Sequence, residues 1–328
     1  MFTALKKARI LAARVEIRRV IKRYKLEVAS VERNGPRFYV ARCRYQGRVV
    51  VFKICLFTDR VDPRTNAGLR REIITLNYFH SMQDRFFAES TPGVLFSQST
   101  GRTWYIREFL DGQTQNIQHS NFIFKPEFFA PHSIAWIVKF FGGLQQLSRR
   151  LPPKLRPLYA KHTLKTNLEL IGWRKVPGLI GTADAAERVI NFLKSYHKVF
   201  DNNQTVITHY EPYASHFFRR GSSDFYMIDW ENVDCGTPAH DVSVIWHRAF
   251  MHPKWQKALW RAFLKATPYP KQFEELFKVE IVLQCIHNLD YFNRTTIPAE
   301  RRVKRQAIAF YRRAISLVLD GQFNKLVK

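Results

Sequence analysis

The sequence predicts an α+β protein in two lobes, a small β-rich one first and a larger, mainly helical one after it. Three observations predict it. Residues 25–56 are dense in Val, Ile, Phe and Tyr and are broken by two turn signals. Beyond Asp111 most of the chain carries apolar residues at helical spacing. A short β-like insert, from "TVITH" to "FYMIDW", interrupts that helical stretch. Strands first and helices later, without regular alternation, is the order of an α+β domain.

The first 25 residues hold nine Lys/Arg and one acid, Glu16. Ile10, Ala13, Ile17, Ile21 and Tyr24 recur at steps of three and four, which describes an amphipathic helix. Three readings of it stay open: a helix packed on the first lobe with a solvated basic face, a surface-lying helix on an anionic membrane, and an organelle transit peptide. A secretory signal is excluded, because no continuous apolar stretch follows the first charges.

Three strands follow, "KLEVASVER", "RFYVARCRY" and "GRVVVFKICLF", separated by "NGP" and "QG". "TNAGLRREIITLNYFHSM" reads as a helix with Leu69, Ile73, Leu76 and Phe79 on one face. "VLFSQ" and "TWYIREFL" return to strand, and "DGQTQN" ends the pattern. The lobes are therefore 25–111 and 112–328, with 1–24 as a basic helical extension. In the second lobe, "HSIAWIVKFFGGLQQLSRRL" and "ADAAERVINFLKSYHKVF" are helices. Asp184 is the expected cap of the latter, and Val189, Phe192, Leu193 and Tyr196 its buried stripe.

Composition narrows the partners. Lys and Arg number 53 against 27 Asp and Glu, a formal charge of +26, which attracts anionic surfaces and phosphorylated small molecules. No nucleic-acid motif of a recognised kind is present. No apolar run approaches the ~18 residues of a membrane span. Cys43, Cys55, Cys235 and Cys285 lack the spacing of a zinc site or a disulfide framework, which fits a reducing, cytoplasmic setting.

The residues that carry chemistry form an ordered series. Lys53 sits in an apolar strand, where an ammonium is costly unless paired. Glu72, early in the next helix, is a suitable partner, and such a pair aims the ammonium at nucleotide phosphates. The strand ending "EFLDG" offers backbone groups of Glu108, Phe109 and Leu110 to a flat heterocycle. His209, Glu211 and His216 fall as H-x-E-x-x-x-x-H. Asp229 follows Glu211 by eighteen residues and Asp241 comes twelve later, in "GTPAHD".

This series resembles the aminoglycoside phosphotransferase and choline kinase group, within the protein-kinase-like fold. That group's catalytic loop reads H-x-D-x-x-x-x-N and is followed by "IDW" or "IDF" and by G-x-P-x-x-D, here Gly236, Pro238 and Asp241. The resemblance runs from about Lys25 to His247. It implies that Lys53, held by Glu72, contacts the phosphates of ATP. It implies that the backbone near Glu108, Phe109 and Leu110 receives adenine and that Gly35 lies in the nucleotide-covering loop. Asp229 would bind Mg²⁺, Asp241 would brace the catalytic loop, and His209 would pack beneath it.

Two positions depart from the pattern. Glu211 stands where the group has its catalytic aspartate, one methylene longer. His216 replaces a metal-binding asparagine, and imidazole suits Mg²⁺ poorly; a protonated His216 could contact phosphate instead. The sequence thus implies an ATP-dependent phosphotransferase acting on a hydroxyl of a small molecule. The alternative is a degenerate kinase fold that binds nucleotide, membrane or a partner without efficient turnover. The acceptor can be anionic or lipid-linked, since the basic C-terminal region disfavours a cation. Trp246, His247, Trp255, Trp260, Asp290 and Tyr291 are the candidate acceptor residues.

Overall fold

The computed structural model describes residues 2–82, 84–171, 175–221 and 224–327. The chain divides into two compact units. The first is Met1–Gly112 together with Tyr226–Val233; the second is Gln113–Phe225 together with Asp234–Lys328.

The first unit opens with helix α1 (Phe2–Arg23). Lys25 ends it in the left-handed region, φ 50°, while the Leu26 N–H reaches back to the Ile21 carbonyl at 2.9 Å. Strands β1 (Glu27–Asn34), β2 (Phe38–Tyr45) and β3 (Arg48–Cys55) follow as antiparallel hairpins. Gln46 and Gly47, both at positive φ, make the two-residue turn that pairs Tyr45 with Arg48. Helix α2 (Pro63–Ser81) is capped by Asp62, which accepts from the Thr65 amide at 3.0 Å. A short α3 (Arg85–Ser90) leads to β4 (Val94–Gln98) and β5 (Trp104–Glu108). The sheet order is β1-β2-β3-β5-β4.

Both faces of β3 are buried, so Val50 to Cys55 are enclosed without a break. On one face Val50, Phe52 and Ile54 pack with Ala13, Ile17 and Val20 of α1 and with Trp104. The N-terminal helix is therefore part of this unit's core. Its outward side keeps Leu11 and Val15 exposed among the arginines, and the Ile10 side chain lies outside the described residues. On the other face Phe38, Cys55 and Tyr105 meet Leu69 and Ile73 of α2. Residue alternation puts Lys53 on this second face.

The second unit begins with β6 (Gln113–Thr114) and α4 (Pro131–Arg149), then α5 (Leu164–Ile171), α6 (Val176–Ile180) and α7 (Ala183–Asn202). Thr182 caps α7, not Asp184, which sits in the first turn. The fully buried stripe of α7 is Ala186, Val189, Leu193 and Phe200; Phe192 and Tyr196 are only half-buried. Strand β7 (Val206–Thr208) pairs antiparallel with β10 (Asp234–Gly236), and β8 (Phe217–Arg220) lies between β6 and β9 (Asp224–Met227). The second half of β9 already belongs to the first unit. Helices α8 (His240–Arg248), α9 (Pro253–Ala266), α10 (Pro270–Arg294), α11 (Pro298–Leu319) and α12 (Asn324–Val327) complete the chain. No helix among the described residues is long and apolar enough to cross a membrane.

Candidate functional site

The first unit gathers three carboxylates around one ammonium. Lys53 Nζ lies 2.9 Å from Glu72, 2.7 Å from Asp229 and 3.0 Å from Glu231. Lys53 and Glu72 are almost wholly buried, at 6% and 1% exposure. Burial disfavours the charge on Lys53, but Asp229 and Glu72 outweigh it and hold its pKa well above the usual value. For Glu72, burial pushes the carboxyl up, partly countered by Lys53 and reinforced by Asp229 and Glu231. Tyr105 donates to Glu72 at 3.1 Å and the Trp230 amide at 3.3 Å. Arg37, in the β1–β2 turn beside Gly35, reaches Glu231 at 3.2 Å.

Asp229 stands at φ 67° and ψ 58°, left-handed backbone that a residue with a Cβ adopts at a cost. That bend starts the single turn Trp230–Asn232, which carries Glu231 back towards Lys53. Trp230 anchors the turn, wholly buried with its ring 5.0 Å from Phe79. Gly68 of α2 packs against it so closely that a Cβ there would sit 2.7 Å from the Glu231 carbonyl oxygen. One oxygen from each of Glu72, Asp229 and Glu231 lies within 4.8 Å of the others. Three carboxylates exceed the charge of Lys53, even with Arg37 alongside, and oxygen donors suit a hard divalent cation.

At the end of β5, the Glu108 amide donates to the Gly93 carbonyl at 2.9 Å, and the Glu108 carbonyl accepts from Arg107. The Glu108 backbone is therefore occupied by its neighbours. Phe109 carries the Arg42 guanidinium 4.5 Å above its ring, and Leu110 is buried.

In the second unit β7 delivers His209, Tyr210 and Glu211. The buried Asp241 carboxylate accepts from the His209 amide at 2.8 Å and the Tyr210 amide at 3.0 Å. Tyr210 occupies left-handed backbone, φ 70°. Its ring stacks on His240 at 4.5 Å and lies 4.2 Å from His162. Burial raises the Asp241 pKa to about 6, against the pull of His240 and the two amides. His240 bonds Glu280 at 3.1 Å, and Thr237 donates to the same carboxylate at 2.6 Å. Gly236 explains its own place in the motif, since a Cβ there would meet the Thr208 side chain at 2.8 Å.

His209 is wholly buried, its ring 5.5 Å from that of His216. His216 is engaged with the loop itself: Nδ1 lies 2.8 Å from the Glu211 carbonyl, which also accepts from the Tyr213 amide. That contact makes Nδ1 the protonated nitrogen. Burial and then Glu211 raise the Tyr213 hydroxyl's pKa, with Arg248 opposing them, and the Arg248 guanidinium lies 4.0 Å over the Tyr213 ring. Asn121 fastens the same loop, accepting from Ala214 and Arg248 through its carbonyl and from Ser215 through its side chain.

The candidate acceptor residues fare differently. Trp246, His247, Trp255 and Trp260 are core side chains, and Tyr291 gives its hydroxyl to Glu300 at 2.6 Å. Sequence reasoning missed Gly68, Arg37, Glu231, Asn121 and Arg248. Only Glu231 gave a usable signal, as a second acid two residues past Asp229.

A model of the phosphotransferase enzyme family (APH) matches residues 55–276, more than half of the chain. Solved structures share the fold. Macrolide 2′-phosphotransferase MphH from Brachybacterium faecium is 16% identical with a TM-score of 0.54, covering 88% of this chain and 96% of that one. A thermostable mutant of aminoglycoside phosphotransferase APH(4)-Ia, complexed with ADP and hygromycin B, is 12% identical with a TM-score of 0.55 (92% and 97% covered). A microcompartment-associated aminopropanol kinase is 11% identical with a TM-score of 0.59 (96% and 99% covered). No curated protein matches the chain's sequence. The structures share the kinase-like α+β fold and the family model matches in sequence: the chain belongs to the phosphotransferase enzyme family.

Proposed function

We propose that the chain is an ATP-dependent phosphotransferase that moves the γ-phosphoryl group to a hydroxyl of a small molecule. The observation that carries this reading is the Lys53 ammonium held among Glu72, Asp229 and Glu231. Burying one cation with two acids, Glu72 and Glu231, and a half-buried third, Asp229, is costly as mere scaffolding. It is useful where a nucleotide and its metal complete the charge balance.

Lys53 takes phosphate oxygens, and Glu72 fixes its direction. Asp229 and Glu231 are the residues that would hold Mg²⁺, which when bound offsets charge on the phosphates. The backbone of Phe109 and Leu110 receives adenine, the Glu108 backbone being engaged with Gly93 and Arg107. The turn at Gly35 and Arg37 covers the phosphates. Among relatives, one structure is a complex with ADP and hygromycin B and another with GDP and kanamycin, which supports a purine nucleotide here.

In the second unit Glu211 orients the acceptor hydroxyl and takes its proton. The acceptor oxygen bonds to the γ-phosphorus as the bond to the β–γ bridging oxygen breaks, and ADP leaves. Asp241 and His209 brace the loop. His216 serves as a further brace through the Glu211 carbonyl, and we assign it that role rather than magnesium binding because imidazole suits Mg²⁺ poorly.

The test is nucleotide titration with and without Mg²⁺, then ADP release. The wild type should bind Mg·ATP, and Asp229→Ala should lose the Mg²⁺-dependent part of the affinity. Glu211→Gln should keep nucleotide affinity but lose roughly 10²–10⁴ in rate, the usual contribution of a general base. If ATP does not bind and Asp229→Ala changes nothing, the reading fails.

A further inference from the structure

A cavity of about 220 Å³ opens beside Glu211 in the second unit. Its polar lining is Asn167, Glu211, Tyr213, Arg248, Gln284 and His287, the rest being Tyr210, Val244 and Leu283. Glu211 is the only carboxylate among them. Arg248, from the last turn of α8, is the cation in the wall and is 4% exposed.

Arg248 is an unusual arginine. Among the described residues no carboxylate forms an ion pair with it. Its Nη1 donates to the Asn121 carbonyl at 2.6 Å, and the guanidinium lies between the Phe122 ring at 4.2 Å and the Tyr213 ring at 4.0 Å. Its Nε–H is buried without an acceptor among the described residues. Burial lowers its pKa, the direction expected of a cation with too little counter-charge, while Tyr213, Tyr311 and the Glu211 carboxylate pull the other way without offsetting it. A buried guanidinium with no carboxylate in direct ion-pair contact is costly, and such a perturbed charge in a cavity wall is a candidate place for an anion to bind.

An ammonium-bearing acceptor would find the reverse of what it needs here. The one carboxylate is assigned to the reacting hydroxyl, and Arg248 would repel the amine. We propose that this cavity receives an anionic oxygen group, so that the acceptor is a small hydroxy compound carrying a carboxylate or a phosphate. The inference rests on the phosphotransferase reading for the word acceptor, but the cavity's charge preference can be measured without turnover. The volume is below the ~300–1,000 Å³ of a drug-sized site, which fits a compact acid better than a multi-ring sugar. The planar guanidinium fork suits either anion.

The experiment is equilibrium binding to the full chain by ligand-observed NMR or calorimetry. Glycerate is the carboxylate arm, glycerol 3-phosphate the phosphate arm, and 1-amino-2-propanol and kanamycin the amine arm. At least one anion should bind at least tenfold more tightly than either amine. Arg248→Met should lower that affinity tenfold or more. Because that variant removes a loop brace, Gln284→Glu on the half-buried cavity wall is the second probe. It should weaken the anion at least tenfold and strengthen the amines. Preference for amines, an anion affinity indifferent to both substitutions, or no binding by either anion overturns the inference. Mg·ATP titration of the same samples separates the two readings. ATP binding with amine preference fells this inference alone, and failure to bind ATP fells the phosphotransferase reading.

Discussion

Gly68 and Glu231 touch backbone to backbone, so that a methyl group on Gly68 would sit 2.7 Å from the Glu231 carbonyl oxygen. No flexible side chain can yield there; the whole Trp230–Asn232 turn would have to move. Gly68→Ala should therefore cost about 1–3 kcal/mol despite its better helix propensity. It should also weaken Mg·ATP binding at least tenfold, since Asp229 precedes the displaced turn and Glu231 lies within it. Gly142→Ala in α4, where nothing lies within 4 Å of the new carbon, is the control and should be neutral or stabilising. Chemical denaturation and nucleotide titration of both variants decide it; equal behaviour would refute the close contact.

Removing the ammonium should do more harm than removing one acid. Lys53→Met leaves Glu72, Asp229 and Glu231 facing one another, a loss on the order of 3–5 kcal/mol for a broken buried pair. A divalent cation should then replace part of the missing charge. Thermal unfolding should show Mg²⁺ raising the midpoint of Lys53→Met more than that of the wild type. An equal response would mean that the three carboxylates do not act as a cation site.

Stability should fall on the alkaline side because of His240. Burial opposes its charge, but Glu280 more than compensates and lifts the pKa to about 9. A raised base stabilises the fold fully below its unfolded value near 6.5, and the gain disappears as pH rises through about 9. The contribution is on the order of 3 kcal/mol. Asp241, raised to about 6, also favours the fold when protonated, but that effect fades as pH rises through about 6 and has little left to lose across the alkaline window. Urea denaturation from pH 6.5 to 9.5 should show the decline in the wild type and a flatter profile in Glu280→Gln.

Shortening the loop carboxylate should not restore a better enzyme. The loop is built around Glu211: its carbonyl holds His216 and the Tyr213 amide, and its carboxylate is near enough to the Tyr213 hydroxyl to raise that group's pKa. Glu211→Asp withdraws the carboxylate by one methylene and should lower kcat by on the order of 10² with nucleotide affinity unchanged. A rise in kcat would show instead that Glu211 is the residue limiting the loop.

What the sequence disclosed follows the cost of burying charge. Lys53 was visible because an ammonium in "VVVFKI" demands a partner, and Glu72 was the acid placed to supply it. Asp229 and Asp241 were visible through their spacing from Glu211. Glu231 was passed over, because only the left-handed bend at Asp229 brings it back to Lys53. Gly68 carried no signal, its reason being a carbonyl far along the chain. Arg248 carried none either, because the rings of Phe122 and Tyr213 that enclose it come from two other segments. The tryptophans suggested as acceptor residues were drawn into the core by their apolar area.

The return of Tyr226–Val233 to the first unit sets an order of events during synthesis. Residues 1–112 leave the ribosome with Lys53 and Glu72 already on facing elements, but without Trp230 beneath Phe79 and without the two acids that neutralise the ammonium. The nascent first unit stays incomplete until residues 113–225 of the second unit, and then those eight residues, have been made. A fragment cut at residue 112 would be held permanently at that stage, with an apolar seam open where Trp230 belongs.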